Sequence, residues 1–253
     1  MDDTYTLTET YKLPSGGKLY PGCPERVTLR SMTTEEEMRR LSHTDTPYKT
    51  LCDIIDSCII ETLPISSYDM CIGDYQFLLY RLRTVTYGPD YLNGTICPFC
   101  GQFNTTKINL DELPVKELTT EGIADELLNI KLPRSGKTII LKYRTPRILD
   151  AIDKDQSDFI KRAPENKADT TLLFRLKHSI QAVDGKHYDP LKLEAFIRKL
   201  PGMDMNVLDQ SIHKLDDILG IGTTVTVQCE NPACGLIYPG SFRITSEFFR
   251  PAI

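Results

Sequence analysis

The chain has 253 residues, of which 40% are hydrophobic and 26% charged, and its formal net charge is −5. This balance is that of a soluble globular protein with one large or two modest domains, and it argues against a nucleic-acid binder, which usually carries a basic face. No apolar run reaches the length of about 18 residues that a membrane span requires. The acidic N-terminus argues against a secretory signal, so we expect a reducing compartment where cysteines serve as thiols or metal ligands.

Residues 1–30 are predicted to form a β-hairpin region. Its turn is the segment KLPSGGK at residues 12–18, in which glycines permit the positive φ of a tight turn. The pattern returns as KLPRSGK at residues 131–137, again beside an extended-looking stretch. The end of this second copy could belong to a phosphate-binding loop, but that motif needs Gly in place of Lys131 and a helix afterwards. We therefore reject nucleotide binding.

Residues 31–88 are predicted to form a helical region. Capping hydroxyls and acidic residues predict a first helix that ends near Ser42. Apolar residues at helical spacing predict two further helices, over residues 47–63 and 68–86. The paired Arg81 and Arg83 of the third helix could contact a partner, but we expect them on a solvated helix face.

Two cysteine pairs lie far apart in the chain, in ICPFCG at residues 96–101 and in QCENPACG at residues 228–235. Each pair contains Pro and is followed by Gly, whose positive φ lets backbone N–H groups turn toward sulfur, and each is flanked by strand-like sequence. Two such hairpins meeting over one ion form a zinc ribbon. The alternative is two unrelated pairs of buried thiols. The predicted ligands of one structural Zn²⁺ are Cys97, Cys100, Cys229 and Cys234.

A site of four thiolates has no open position for water, so we expect the metal to do no catalysis. The histidines stand outside any metal or nucleophile motif, and hydrolase, metalloprotease and dinucleotide signatures are missing from the sequence. We therefore predict that the protein is not an enzyme. The other cysteines are expected to be buried free thiols rather than a second metal site. They are Cys23, Cys52, Cys58 and Cys71.

Residues 111–221 are predicted to form an insertion with a β-hairpin and about four helices. Apolar residues at helical spacing predict two helices, over residues 148–160 and 172–180. Asp189 and Pro190 predict the start of a third helix, and a fourth apolar face predicts a last helix that ends at Gly220. The insertion would separate the two parts of a split zinc ribbon, residues 89–110 and residues 222–253 with a C-terminal tail. The predicted fold class is thus α+β, with β-hairpins, a split zinc ribbon and two helical sets.

The apolar end of the chain, FFRPAI at residues 248–253, has two interpretations. It could dock on a partner protein. Terminal apolar residues more often pack on their own domain, and we favour that interpretation.

Short segments spread over most of the chain carry a family resemblance. They are LPSGGKLY at residues 13–20, RSMTTEEE at 30–37, CPFCG at 97–101, Asp184-Gly185 followed by LPGMD at 200–204, and SEFFRP at 246–251. Together they resemble the baseplate hub proteins of contractile-tailed, T4-like bacteriophages.

The resemblance implies a structural component of a phage baseplate, in the hub region, which binds neighbouring hub, wedge or tail-tube subunits. Members of that family are described as hub components or as hub assembly factors, so a non-virion assembly chaperone is the alternative. The expected location is the virion tail baseplate, with the host cytoplasm during assembly, and neither nucleic acid nor a membrane is an expected partner. A zinc-ribbon nucleic-acid binder is a third alternative; it would need a basic stripe beside the ribbon, which the sequence does not contain.

Overall fold

The computed structural model describes residues 6–163, 165, 169–241 and 246–249. Helices and small antiparallel sheets alternate along these residues, which confirms the predicted α+β class. The helices are α1 (Thr34–Leu41), α2 (Pro47–Cys58), α3 (Ile72–Tyr87), α4 (Asp125–Leu128), α5 (Pro146–Arg162), α6 (Thr171–Ser179), α7 (Pro190–Ile197) and α8 (Gly202–Asp216). The strands are β1 (Thr8–Lys12), β2 (Arg26–Arg30), β3 (Asp90–Ile96), β4 (Phe103–Asn109), β5 (Val115–Lys116), β6 (Asn129–Lys131), β7 (Thr138–Leu141), β8 (Ile180–Val183), β9 (Gly220–Ile221), β10 (Thr224–Gln228) and β11 (Ile237–Ser241).

A similar order of elements occurs twice, and the second copy has one additional helix, α7. In the first repeat, residues 8–109, the hairpin β1–β2 is followed by α1, α2, α3 and the hairpin β3–β4. In the second repeat, residues 129–241, the hairpin β6–β7 is followed by α5, α6, β8, α7, α8 and the hairpin β10–β11. The short repeat seen in the sequence therefore marks the start of a much longer structural one. The strand β7 that follows residues 135–137 also confirms that this segment is not a phosphate-binding loop, which would lead into a helix.

The turns of the two starting hairpins are built alike. The backbone N–H of Leu13 donates to the Glu25 carbonyl at 2.9 Å, and that of Leu132 donates to the Lys137 carbonyl at 2.8 Å. A fully buried aspartate from the first turn of a later helix holds each turn. Asp74 of α3 accepts from the Ser15 N–H at 2.9 Å, and Asp204 of α8 accepts from the Arg134 and Ser135 N–H groups at 2.8 Å.

A third strand position joins each starting hairpin directly after a helix. Ile59, which follows α2, bridges to Leu29 of β2 in antiparallel sense. Ile180, which follows α6, pairs with Leu141 of β7 in the same sense. The helix predicted over residues 47–63 therefore ends at Cys58, because the next residue takes extended backbone to reach the sheet.

Each repeat has its own apolar core. In the first, the inward residues of the hairpin pack on α2 and α3; in the second, they pack on α6 and α8. The corresponding hairpin residues are all at most 1% exposed, and burial of such aliphatic side chains is the main source of fold stability. They are Leu13, Val27 and Leu29 in the first repeat and Leu132, Ile139 and Leu141 in the second.

Two arginines of α3 correct a sequence-based prediction. Arg81 and Arg83 were expected on a solvated face, but they are 8% and 0% exposed, so that prediction is wrong. The reason is that α3 is surrounded by other elements on all sides and its charged residues find partners inside the protein. Arg81 pairs with Asp111, and Arg83 donates to the carbonyl oxygen of Asp90 at 2.7 Å.

The aromatic pair near the end of the chain packs on the protein itself. Phe248 and Phe249 are 0% and 3% exposed, and the Phe248 ring lies edge-on to Tyr80 with centroids 4.9 Å apart. The Phe248 carbonyl accepts from Arg83 Nε at 3.2 Å. These contacts favour the interpretation in which the apolar end packs on its own domain; residues 250–253 lie outside the described residues.

The two repeats contact each other through α2 and α5. Asp150 of α5 accepts from the N–H groups of Tyr48 and Lys49, at 3.2 and 2.9 Å, and so caps the first turn of α2. The strand pair β5–β9 adds a second connection, and Gly73 of α3 packs against the backbone of Leu219 beside it. Within the described part of the chain, none of the helices has the length and apolar character needed to cross a bilayer.

Candidate metal centre

The two cysteine pairs stand at the tips of the hairpins β3–β4 and β10–β11. A similar backbone bond closes both knuckles, although the second has four residues between its cysteines and the first has two: Cys97 N–H donates to the Gln102 carbonyl at 2.8 Å, and Cys229 N–H donates to the Leu236 carbonyl at 2.9 Å. Gly101 and Gly235 follow the second cysteine of each pair with φ of 75° and 56°. Only glycine adopts this backbone without strain, which explains why Cys-Gly ends both knuckles.

The four thiols come together although the two pairs are separated by 128 residues in the chain. Their sulfur atoms all lie within 4.8 Å of one another. The Cys97 and Cys234 sulfurs are 3.9 Å apart, and the Cys100 and Cys229 sulfurs are 3.5 Å apart. A metal ion held tetrahedrally by thiolates at about 2.3 Å would place sulfurs about 3.8 Å apart. The cluster is thus close enough to hold one metal ion.

The thiol contacts have the pattern of a local two-fold axis. Cys97 and Cys229 are the first cysteines of their knuckles, and Cys100 and Cys234 are the second. The two contacts measured above each join a first cysteine to the second cysteine of the other hairpin, so exchanging the hairpins exchanges these two contacts. A reciprocal pattern of this kind is the mark of two-fold related surfaces.

Polar side chains on the inner faces of the hairpins hold them together. The Tyr238 hydroxyl is 2.9 Å from the Thr95 hydroxyl and accepts from Asn104 Nδ2 at 2.8 Å. Asn104 is fully buried and its Oδ1 accepts from the Glu230 N–H at 2.8 Å. Asn104 and Tyr238 also occupy equivalent positions, one residue after the strand residue paired beside each knuckle. The interface is therefore specified by hydrogen bonds as well as by the thiols.

The cluster favours ionisation of one thiol first. Burial opposes ionisation of Cys97, but N–H groups of Phe99 and Cys100 that point at its sulfur outweigh this and lower its pKa to about 7. Burial raises the pKa of Cys229 to about 12, and the neighbouring thiols add to that rise. Four thiolates this close would repel one another, so full ionisation requires a bound cation.

A cleft of about 860 Å³ lies elsewhere, between α2, α3 and α5. Its two arginines are already engaged, Arg40 with Glu37 and Arg144 with Asp216. Both guanidinium groups therefore already have carboxylate partners within the protein. The thiol cluster is the stronger candidate site because its groups converge on one point.

All four cysteines singled out in the sequence are brought together, and their role as metal ligands stays a prediction. Three of the other cysteines are buried, as expected, and Cys23 is half-buried. Sequence reasoning missed Asn104 and Tyr238. Strand alternation could have placed both on the same side of their strands as the inward-facing residues, but nothing local indicates that they meet each other.

The model of the family described as "T4 bacteriophage base plate protein" matches residues 4–250. No curated protein and no solved structure matches the chain. The matched residues include both repeats and all four clustered cysteines. Because the match covers nearly the whole sequence, the chain belongs to the T4 bacteriophage base plate protein family.

Proposed function

We propose that this protein is a structural component of the hub region of a phage baseplate, in which one structural Zn²⁺ locks the two cysteine hairpins together. Family membership gives the coarser part of this statement: a baseplate protein of the phage tail that interacts with other tail and baseplate proteins. The hub position is supported by the sequence segments that resemble hub proteins. The observation that carries the metal assignment is the reciprocal pair of sulfur contacts at 3.9 and 3.5 Å.

Zinc is the metal that fits this donor set best. Four thiolates in a closed tetrahedral arrangement are typical of structural zinc sites, and the cluster leaves no open position for a reacting water. The ion would pin β3–β4 against β10–β11 and thereby fix residues 111–221, which lie between the two hairpins in the chain. Its contribution is to folding rather than to chemistry, on the order of 10 kcal/mol in small zinc domains.

The nucleic-acid alternative finds little support in the hairpins. Across residues 89–110 and 222–241, Lys107 is the one basic residue, and it forms an ion pair with Asp90 at 2.8 Å. A binder of nucleic acid needs several unpaired cations along one face. We therefore place this protein among structural subunits.

Metal analysis tests the zinc assignment. The purified protein should contain about one zinc per chain, and Cys97→Ser and Cys229→Ser should lower that content similarly, because a three-thiolate site binds more weakly. Cys23→Ser is the matched control, since Cys23 lies outside the cluster and should leave zinc content unchanged. Unchanged zinc in the Cys229 variant would refute a shared site.

Mass spectrometry of purified virions tests the structural role. We expect the chain in mature particles, in a fixed ratio to other baseplate proteins. Its absence from particles, together with its presence in baseplate assembly intermediates, would favour the alternative of a non-virion assembly chaperone.

A further inference from the structure

The two cysteine hairpins match on their inner faces and differ in the outward residues of their first strands, β3 and β10. Counting back from the first cysteine of each knuckle, the outward residues of β3 are Ile96, Gly94 and Leu92. The equivalent outward residues of β10 are Gln228, Thr226 and Thr224. On this strand the second repeat thus has polar residues where the first has apolar ones, whereas the returning strands of both hairpins carry an exposed apolar residue, Phe103 (59% exposed) and its equivalent Ile237 (63% exposed). Because the two strands hold the same place in the same fold unit, this difference is not required by the fold.

The apolar residues on the first hairpin form one exposed surface, here called the outer face. It consists of Leu92, Ile96, Phe99 and Phe103, which are 46%, 67%, 61% and 59% exposed. Phe103 pairs with Ile96 across the hairpin, and its ring lies over Gly94, where an added Cβ would be 2.6 Å from the ring. Contiguous exposed apolar surface of this kind is often an interaction site.

The edge of β3 beside this face is also open. Cys97 N–H donates to Gln102 and Leu110 N–H donates to Pro89, so the odd-numbered residues of β3 are those bonded to β4. By the alternation of antiparallel pairing, the N–H and C=O groups of Leu92, Gly94 and Ile96 point away from β4. Among the described residues the sheet has only these two strands, so this edge is not paired with another strand.

The size and charge of the outer face indicate its occupant. Its four side chains expose together on the order of 400 Å², whereas a stable homodimer buries about 800 Å² on each partner. A second copy of this chain would therefore be held too weakly. Of the charges beside it, Asp90 and Lys107 neutralise each other at 2.8 Å, and the Glu230 carboxylate accepts from the Thr105 N–H at 3.3 Å, so the face favours an uncharged partner surface. An open strand edge beside apolar side chains is the arrangement that binds an extended segment.

We infer that the outer face of β3–β4 docks an extended, uncharged segment of another baseplate subunit. The segment adds as a strand beside β3, bonding to the free groups of Leu92, Gly94 and Ile96, and its alternate apolar side chains pack on the outer face. The inference rests on the proposed function in one respect: the partner is sought among baseplate subunits. It does not depend on which metal the thiols hold.

An exchange of outward residues between the repeats tests the inferred docking of a segment on the outer face. The double variant L92T/I96Q gives β3 the outward residues that β10 carries, and both positions are exposed enough to accept polar groups. The control T224A/Q228A alters the same positions of the other hairpin. A phage lacking its own copy of the gene is supplied with each full-length variant, and the chain is quantified in purified tails against another tail protein.

We expect L92T/I96Q to reach tails at least about tenfold less than the unchanged chain, with the same metal content and melting temperature, while T224A/Q228A assembles normally. Normal assembly of L92T/I96Q would overturn the inference, and so would an equal loss in the control. If the unchanged chain itself is absent from tails, the proposed function fails, and the same comparison is then made on assembly intermediates.

Photo-crosslinking in infected cells identifies the occupant. A benzoylphenylalanine placed at Ile96 should form an adduct with another baseplate subunit, and the crosslinked peptide should be an uncharged, apolar-alternating segment. The same group at Gln228 should give no such adduct. An adduct with a second copy of this chain, no adduct at all, or equal adducts from both positions would each overturn the inference.

Discussion

Replacing Gly73 by alanine is expected to destabilise the protein, although alanine is the better helix former. A Cβ at this position would lie 2.4 Å from the carbonyl oxygen of Leu219 and 2.9 Å from its carbonyl carbon. Relief of this contact requires α3 and β9 to separate by roughly 1 Å, and overpacking of this kind costs about 1–3 kcal/mol. Alanine recovers about 0.5–1 kcal/mol of helix propensity. We therefore expect a net loss of about 1 kcal/mol.

Scanning calorimetry of the metal-loaded protein measures this loss. For a chain of this size, about 1 kcal/mol corresponds to a fall of roughly 2–4 °C in Tm. Gly202→Ala is the matched control, because Gly202 begins α8, the equivalent helix, and an added Cβ there meets no atom within 4 Å. The control should be unchanged or slightly stabilised. A Gly73→Ala protein that melts with the unchanged chain would refute the argument from close approach.

Three further outcomes follow from contacts described above. Hydrogen bonds from Arg30 and Thr33 hold the pKa of Glu36 at about 2, so the stability they provide is present above pH 4.5 and lost as the pH falls toward 2. Glu36→Gln should therefore cost about 2 kcal/mol at pH 7 and almost nothing near pH 2, as measured by urea unfolding across pH; a constant difference would contradict this origin. Phe248→Ala should cost about 3–5 kcal/mol because the ring is fully buried, which a fall in Tm would show and an unchanged Tm would contradict. Removal of metal by a chelator should speed amide hydrogen exchange at Tyr238 far more than at Leu208, whose core lies away from the thiols; equal acceleration would mean that the metal supports the whole fold.

The sequence predicted most elements that depend on local signals. Helical spacing and the Asp189-Pro190 start located α5 to α8 closely, and the two Cys-Gly knuckles predicted that the four thiols would meet. Both kinds of signal depend on residues a few positions apart, where backbone geometry limits the alternatives. These local predictions are correct because the tertiary packing of the fold agrees with the local preferences.

Features that depend on distant partners could not be predicted in this way. Arg83 looked like a surface residue because nothing within its helix indicates that the carbonyls of Asp90 and Phe248 would surround it. The helix through Ile59 ended early because Leu29, thirty residues before it, offered a strand partner. In the sequence, the long structural repeat could be recognised only from KLPSGGK and KLPRSGK. Other equivalent residues, such as Asp74 and Asp204, both hold a hairpin turn, but the sequences around them are not similar.

The division of the thiols between two hairpins also sets the order of events during synthesis. Cys97 and Cys100 leave the ribosome long before Cys229 and Cys234, so a growing chain carries only half of the cluster. A pair of thiolates alone binds a metal ion weakly and reversibly. If the cluster holds the proposed ion, firm binding becomes available only after the second repeat has been made and folded against the first. A metal ion retained in the cluster would then distinguish a finished subunit from an unfinished one before it is incorporated into a larger particle.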